Sequence, residues 1–239
     1  MSIYKRIIIK LSGEALADER DRMILDSEKL KNVAKTVKEV LDTGTEVGIV
    51  VGAGNIWRGR LAEKIGIEPA TADYMGMLGT IINALAIQSA LEERGIACRV
   101  MSSINVPQVC EAYIRRKAMS HLSKKTVTIF AGGTGNPFFT TDSTATLRAL
   151  EVGADAILMA KNEVDGVYDA DPRKHPEAKL LRHLTFHEVV EKKLEVMDLT
   201  AVAMLEGKRV VIRVFNMDKP ENFLKVLSGE EIGTTISDE

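Results

Sequence analysis

Apolar residues along this chain follow two periods. Six short runs, RIIIKL (6–11), EVGIVV (46–51), ACRVMS (97–102), TVTIFA (126–131), DAILMA (155–160) and RVVIRVF (209–215), are rich in β-branched residues and apolar on both faces. That pattern predicts strands covered by helices on either side. Between the runs the period changes. Leu30, Val33, Val37, Val40 and Leu41 recur at helical spacing over 27–43, with Asp26 as N-cap and Gly44 just past the end. A second helix, roughly from Asp73 to Arg94, is apolar nearly all round (YMGMLGTIINALAIQSAL), which places it at the centre of the fold or half under another subunit. Strand and helix in alternation predict an α/β chain with a mainly parallel, doubly wound sheet, whose ligands sit beyond the carboxyl ends of the strands. The charged, turn-rich segment 161–176 reads as an exposed loop.

Composition narrows the chemistry. The 239 residues are 45% hydrophobic with a formal charge of −2, and no basic stripe or long run of one sign occurs. Nucleic acid and anionic membranes are thereby disfavoured as partners, so a charged ligand must be met locally. Cys98 and Cys110 lack CxxC spacing and companion histidines, which predicts reduced, buried thiols in the cytoplasm. The apolar start IIIKL is too short for a signal core or a membrane span. His121, His175, His183 and His187 show no metal-binding spacing and read as solvated.

Three loops after strands carry candidate chemistry. In IIIKLSGEAL, Lys10 ends a strongly apolar strand and needs an anion nearby, either a structural carboxylate or a bound phosphate. In IVVGAGNIWRGR, glycines permit close backbone approach and Arg58 offers a forked donor; the pair of glycines reads as a tight turn or as a phosphate loop. The dinucleotide fingerprint is excluded here, because Trp57 stands where its third glycine belongs. The third loop, FAGGTGNPFFTTD, runs from a strand through Gly132, Gly133 and Gly135 to Thr140, Thr141 and Asp142 at a helix start, a receptor for phosphate. Asp142 beside phosphates needs a lysine or Mg²⁺ as counter-charge, and Lys10 is available if the loops adjoin. Phe138 and Phe139 read as core or as packing for a planar ligand. Asp165, Asp169 and Asp171 miss the calcium-loop pattern, and no GxxxxGK[ST] occurs.

Taken together, KLSGEAL, GAGNIWRG, DYMGM, GTGNPFFTTD, NEVDGVYDADP, VMDLTA and IRVFNM resemble the bacterial UMP kinases of the amino acid kinase family, in the family's order and over nearly the whole chain. The resemblance implies a three-layer αβα sandwich, one domain over 1–239 whose N-terminal part holds the acceptor and whose C-terminal part holds ATP. It implies transfer of the ATP γ-phosphoryl group to UMP, giving ADP and UDP, with Mg²⁺ accompanying ATP and no protein metal site. Carried over residue by residue, Lys10, Leu11, Ser12, Gly13, Gly54, Arg58, Asn162, Tyr168 and Asp171 meet ATP. Ala53, Asp73 and the loop of Thr134, Gly135, Asn136, Pro137, Phe138, Phe139, Thr140 and Thr141 hold UMP. Lys10, Arg58, Asp142 and Asp198 are the catalytic candidates. A homohexamer, inhibition by UTP and activation by GTP are family expectations, but the stretch DERDRM (18–23) lacks the glycines that many relatives carry where GTP regulation is placed. Ala53 also replaces the middle one of three glycines. The chemistry is consistent, because a phosphomonoester is largely ionised near pH 7 and needs no general base. The rivals are a related kinase acting on isopentenyl phosphate and a non-catalytic nucleotide sensor.

Overall fold

Strands that are apolar on both sides have to be covered on both sides, and the computed structural model satisfies this by alternation along each strand. It describes residues 2–18, 23–161, 164–194 and 196–238, without the side chains of Arg60 and Glu63. In chain order the elements begin with β1 (Arg6–Leu11), a 3-10 turn (Gly13–Leu16), α1 (Ser27–Asp42), β2 (Glu46–Val51), α2 (Gly59–Lys64) and α3 (Pro69–Glu93). Next come β3 (Cys98–Ser102), β4 (Glu111–Ala112), α4 (Arg115–Ser123), β5 (Val127–Ala131), α5 (Thr141–Val152) and β6 (Ala156–Lys161). The chain continues through β7 (Val167–Tyr168), β8 (Leu180–Leu181), β9 (His183–Leu184), α6 (Phe186–Glu191) and α7 (Leu199–Leu205) to β10 (Val211–Asn216), α8 (Glu221–Leu227) and β11 (Thr234–Ile236).

All six predicted runs are strands of one nine-stranded sheet, in the order β4-β3-β5-β2-β1-β6-β10-β11-β9. The pairs from β4 to β10 are parallel, and only β10 with β11 is antiparallel. Ile7, Ile9, Leu11, Val47, Ile49 and Val51 face a core built with α1, α3 and α8. Ile8, Val50, Ile157 and Met159 face the opposite core, built with α4 to α7. A three-layer αβα sandwich results. Each fully buried isoleucine of β1 contributes about 1.5–3 kcal/mol.

The caps explain where helices begin. Asp26 accepts from Lys29 N at 2.8 Å to start α1, and Gly44, at φ +87°, follows its end in the left-handed region. Helix α3 starts at Pro69, earlier than its apolar pattern suggests, because a proline in the first turn gives up only an N–H that has no helical partner anyway. Its 25 residues are long and apolar enough to cross a membrane by length and composition, but half of that window is buried within the fold. Tyr74, Leu78 and Ile82, at i, i+4 spacing, remain 44–49% exposed. The segment 161–176 is a loop only in part, since β7 pairs with β8 and buries Val167.

Two features of this topology make the site. In parallel strands the carboxyl ends of β1, β2, β5 and β6 share one edge. Between β5 and β6 the chain crosses both β2 and β1, so α5 starts above that edge.

Candidate active site

Lys10 lies on the same face of β1 as Ile8, because side chains alternate, and that face looks toward α5. Its Nζ is 2.8 Å from Asp142 Oδ1, with both side chains about one-fifth exposed. The loops after β1 and β5 are therefore neighbours, which meets the condition the sequence set for Lys10 to answer Asp142. Thr140 starts α5, its Oγ1 accepting from Asp142 N at 3.1 Å and Ser143 N at 3.2 Å. Asp142 thus sits in the first helical turn, where the free N–H groups favour an anion. Its Oδ1 has no well-aligned hydrogen bond, so the Lys10 contact is charge to charge and lone-pair capacity remains.

Asp198 joins the same cluster from another element. It caps α7, accepting from Ala201 N at 2.9 Å, and it also accepts from Ser143 Oγ at 3.0 Å and from Thr140 Oγ1. The starts of α5 and α7 are tied together through this one carboxylate. Burial pushes its pKa up, but the donors from Thr140, Ala201 and Ser143 outweigh that and hold it below the ordinary value.

The loop after β2 packs directly on the loop after β1. A Cβ on Gly13 would lie 2.4 Å from Asn55 Oδ1 and 2.8 Å from Gly54 N, so only glycine allows this approach. Asn83, fully buried on α3, donates to Gly52 O at 2.7 Å and exchanges amide hydrogen bonds with Asn55. The methyl of Ala53 points at Gly79, where an added Cβ would come within 2.9 Å, so the alanine is accommodated by a glycine on α3. Arg58 donates to Gly54 O at 3.1 Å and pairs with Glu14 at 2.6 Å. It faces the 3-10 turn and makes no contact with the Lys10–Asp142 pair. The Leu11 side chain is buried in the core, and Ser12 caps the turn by accepting from Glu14 N.

One cavity flanks these loops, and another lies beyond β6. The first, of about 310 Å³, lies between the loop after β2, α3 and the start of α5; its walls include Ala53, Gly54, Asp73, Phe139, Thr140 and Thr141. Trp57, Gly76, Met77, Thr80, Phe130 and Gly133 are also among its lining. Thr134 to Phe138, the outer part of the same loop, are not among its lining residues. Gly132, at φ +71°, turns the chain where a Cβ would strike Ser102 Oγ at 2.6 Å, and its N–H donates to Thr80 Oγ1 at 2.8 Å. Phe138 also has a positive φ, of 70°, and its N–H donates to Asp73 Oδ2 at 2.7 Å. Asp73 therefore pins the loop. Phe138 and Phe139 are 77% and 48% exposed, which rules out the core reading.

The second cavity, of about 450 Å³, lies beyond β6 and is lined by Lys161, Tyr168, Asp171, Lys174, Lys192 and Lys193 among others. Asn162 lies outside the described residues. Asp171 Oδ1 accepts from Arg173 N, while Asp169 Oδ1 accepts from Lys179 N and Asp165 from Asn216. Each of the three carboxylates is thus engaged separately. Among the described residues no three His, Cys, Asp or Glu side chains converge as a metal cage. Three of the four histidines are exposed, and His121, 3.3 Å from Glu111, lines neither cavity.

The model of the amino acid kinase family matches residues 5–216. The chain belongs to that family, among its uridylate (UMP) kinases. It is 53% identical over 233 residues to a uridylate kinase of Limosilactobacillus reuteri, covering 98% of this chain and 97% of the relative. A uridylate kinase of Pediococcus pentosaceus is 49% identical over 236 residues, covering 99% and 98%. Among solved structures, a UMP kinase from Bacillus anthracis superposes with a TM-score of 0.96 at 43% identity, covering 99% of this chain and 97% of that one. A UMP kinase from Ureaplasma parvum gives 0.92 at 38% identity, covering 98% and 99%.

Within this family frame, the structure brings Lys10, Asp142 and Asp198 to one helix start and sets Arg58 one loop away. Several contributors escaped sequence reasoning. Asn83 and Thr80 are buried polar residues within the apolar middle of α3, and that placement was their only signal. Arg148, buried on α5, donates to Ser103 Oγ at 2.6 Å and Gly133 O at 3.3 Å, and supports the glycine loop from behind.

Proposed function

We propose that the chain transfers the γ-phosphoryl group of ATP to UMP within one domain, with UMP in the cavity beside α3 and ATP in the cavity beyond β6. The observation that carries this reading is the Lys10–Asp142 pair at the start of α5, next to Thr140 and Thr141 of the first cavity and within the electrostatic reach of Lys161 of the second. Lys10 would neutralise the transferred phosphoryl group, and Asp142 would hold its ammonium in place. Phosphoryl transfer asks little more of the protein than in-line positioning and charge cancellation, because the UMP phosphate is already a nucleophile near pH 7. Arg58 would reach the donor phosphates after leaving Glu14. Asp198 would keep Thr140 and Ser143 in register, so that the N–H groups of α5 point at the acceptor phosphate.

The donor set suits Mg²⁺ delivered with ATP: phosphate oxygens supply most ligands, and Asp142, with unused lone pairs on a buried oxygen, is the carboxylate that could complete them. When bound, the ion would offset charge on the crowded phosphates.

The exposed stripe of Tyr74, Leu78 and Ile82 supports self-association through α3, within the hexamer expected of the family. Inhibition by UTP is part of the proposal, because UTP presents the same base and ribose to the acceptor cavity. Activation by GTP rests on the family alone, and Glu19 to Arg22 lie outside the described residues. A cytoplasmic location agrees with two unpaired cysteines, of which Cys98 is fully buried and pushed by that burial to a pKa of about 11.

The reading is tested by ADP release from Mg·ATP with UMP, CMP, dTMP, isopentenyl phosphate or no acceptor. Turnover with UMP above all others is expected. Preference for isopentenyl phosphate, or saturable UMP binding without turnover, would overturn it.

A further inference from the structure

Lys161 is the last residue of β6, and its place follows from register. β1 and β6 pair in parallel with Lys10 opposite Met159. Lys161, two residues beyond Met159, therefore projects on the same face as Lys10, one step past the end of β1. Its side chain is mostly buried, and among the described residues its Nζ has a single long hydrogen bond, 3.3 Å to Val196 O, and no carboxylate in ion-pair contact. A largely buried lysine with so few partners among the described residues is costly unless an anion arrives.

Three observations say which anion. Lys161 lines the cavity beyond β6 together with Tyr168 and Asp171, where a further three lysines face in. It also stands in the electrostatic field of both Lys10 and Asp142. The amine therefore spans from the donor cavity to the Lys10–Asp142 pair. Asp142 is paired directly with Lys10, and Asp198, the other carboxylate at this helix start, is engaged by Thr140, Ser143 and Ala201.

We propose that Lys161 is a second phosphate-binding cation of the reaction, holding the polyphosphate of ATP on the side away from UMP while Lys10 holds the phosphoryl group in transit. This rests on the assignment of the two cavities to ATP and UMP. Burial first, and the charge of Lys10 second, push the Lys161 amine below the ordinary lysine pKa, with Asp142 acting against them. A phosphate chain placed there reverses the balance and holds the amine charged.

The alternative is that Lys161 merely ties β6 to the Val196 carbonyl. Lys161→Gln separates the two, since its amide keeps a donor for that carbonyl and carries no charge. Binding of ADP, inorganic tripolyphosphate and UMP is titrated by calorimetry in both proteins, with melting temperatures alongside. The loss of one charged hydrogen bond predicts ADP and tripolyphosphate affinities lower by about 10- to 100-fold in Lys161→Gln. UMP affinity stays within about twofold of wild type, since no contact is lost. Tripolyphosphate lacks adenine, so its loss locates the contact at phosphate. ADP and tripolyphosphate affinities equal to wild type would overturn the proposal, as would a lowered melting temperature with unchanged affinities. Absence of UMP turnover in the wild type would instead sink the reading of the reaction, while the tripolyphosphate titration would still decide the role of Lys161.

Discussion

The cavity proposed for the acceptor and the cavity proposed for the donor are built from opposite materials. Around the first, Val50, Met77, Thr80 and Phe130 are buried, and glycines let β2, α3 and the loop after β5 touch. The loop after β5, which enters it through Gly133 and Phe139, is pinned by Asp73 and braced by Arg148. Around the second, four lysines and two aspartates stand on short strands and turns, with Asp171 and Lys174 exposed. The difference separates two tasks. A small acceptor whose phosphate must attack in line needs a preformed pocket, whereas a polyphosphate can be gripped by charge with less exact fit.

That contrast can be broken in several ways, the strongest at the junction. Lys10→Ala should cut turnover by roughly 10³- to 10⁵-fold, the range that a transition-state arginine supplies elsewhere. Steady-state ADP release checks this, and a merely severalfold loss would remove Lys10 from the chemistry.

Gly132→Ala is expected to disturb only the acceptor side. The substitution forces a side chain into positive φ and against Ser102, at a cost of about 1–3 kcal/mol. KM for UMP should rise about tenfold while KM for ATP holds. Equal changes in both would show that the loop after β5 is not specific to the acceptor.

Asp198 couples the helix starts, and its depressed pKa gives the effect a sign. The stabilisation is complete above the ordinary carboxylate value of about 3.9 and is lost as pH falls below it through the folded-state value. Asp198→Asn should therefore flatten the acid limb of the melting-temperature profile below about pH 4. An unchanged limb would mean that other carboxylates carry it.

The smallest effect concerns Cys98, which has no part in either cavity. With its pKa raised to about 11 and no exposed surface, it should resist alkylation at pH 8 in the folded protein and react once unfolded. Mass spectrometry of iodoacetamide-treated protein reads this directly.

What the sequence disclosed follows the same division. Strands apolar on both faces and a helix bounded by Asp26 and Gly44 were legible because burial and capping each leave a local pattern. Strands of two or three residues, such as β7 to β9 and β11, are too short to show a period. The acceptor loop announced itself through glycines and hydroxyls before a helix, and Lys10 through the cost of ending an apolar strand in a charge. The Glu14–Arg58 pair joins residues 44 apart in sequence, and no spacing rule connects them. Lys161 was hidden for another reason: a lysine ending a strand is ordinarily a solvated terminus, and only parallel register against β1 turns it inward. Asn83 and Arg148 act on backbone atoms of distant loops, which leaves no motif.

The separation of the two cavities is tested most directly by blocking one of them. Gly76 lies on α3 in the acceptor wall, and an added Cβ there meets nothing closer than Trp57 Cδ1 at 3.7 Å. Leucine at a helical glycine is favoured by propensity, so the Gly76→Leu fold should hold while its side chain fills the cavity. Calorimetric titration should then find UMP affinity lowered by at least about tenfold, with ADP affinity within about twofold of wild type. Loss of both ligands together, or UMP binding left intact, would contradict the assignment of acceptor and donor to separate cavities.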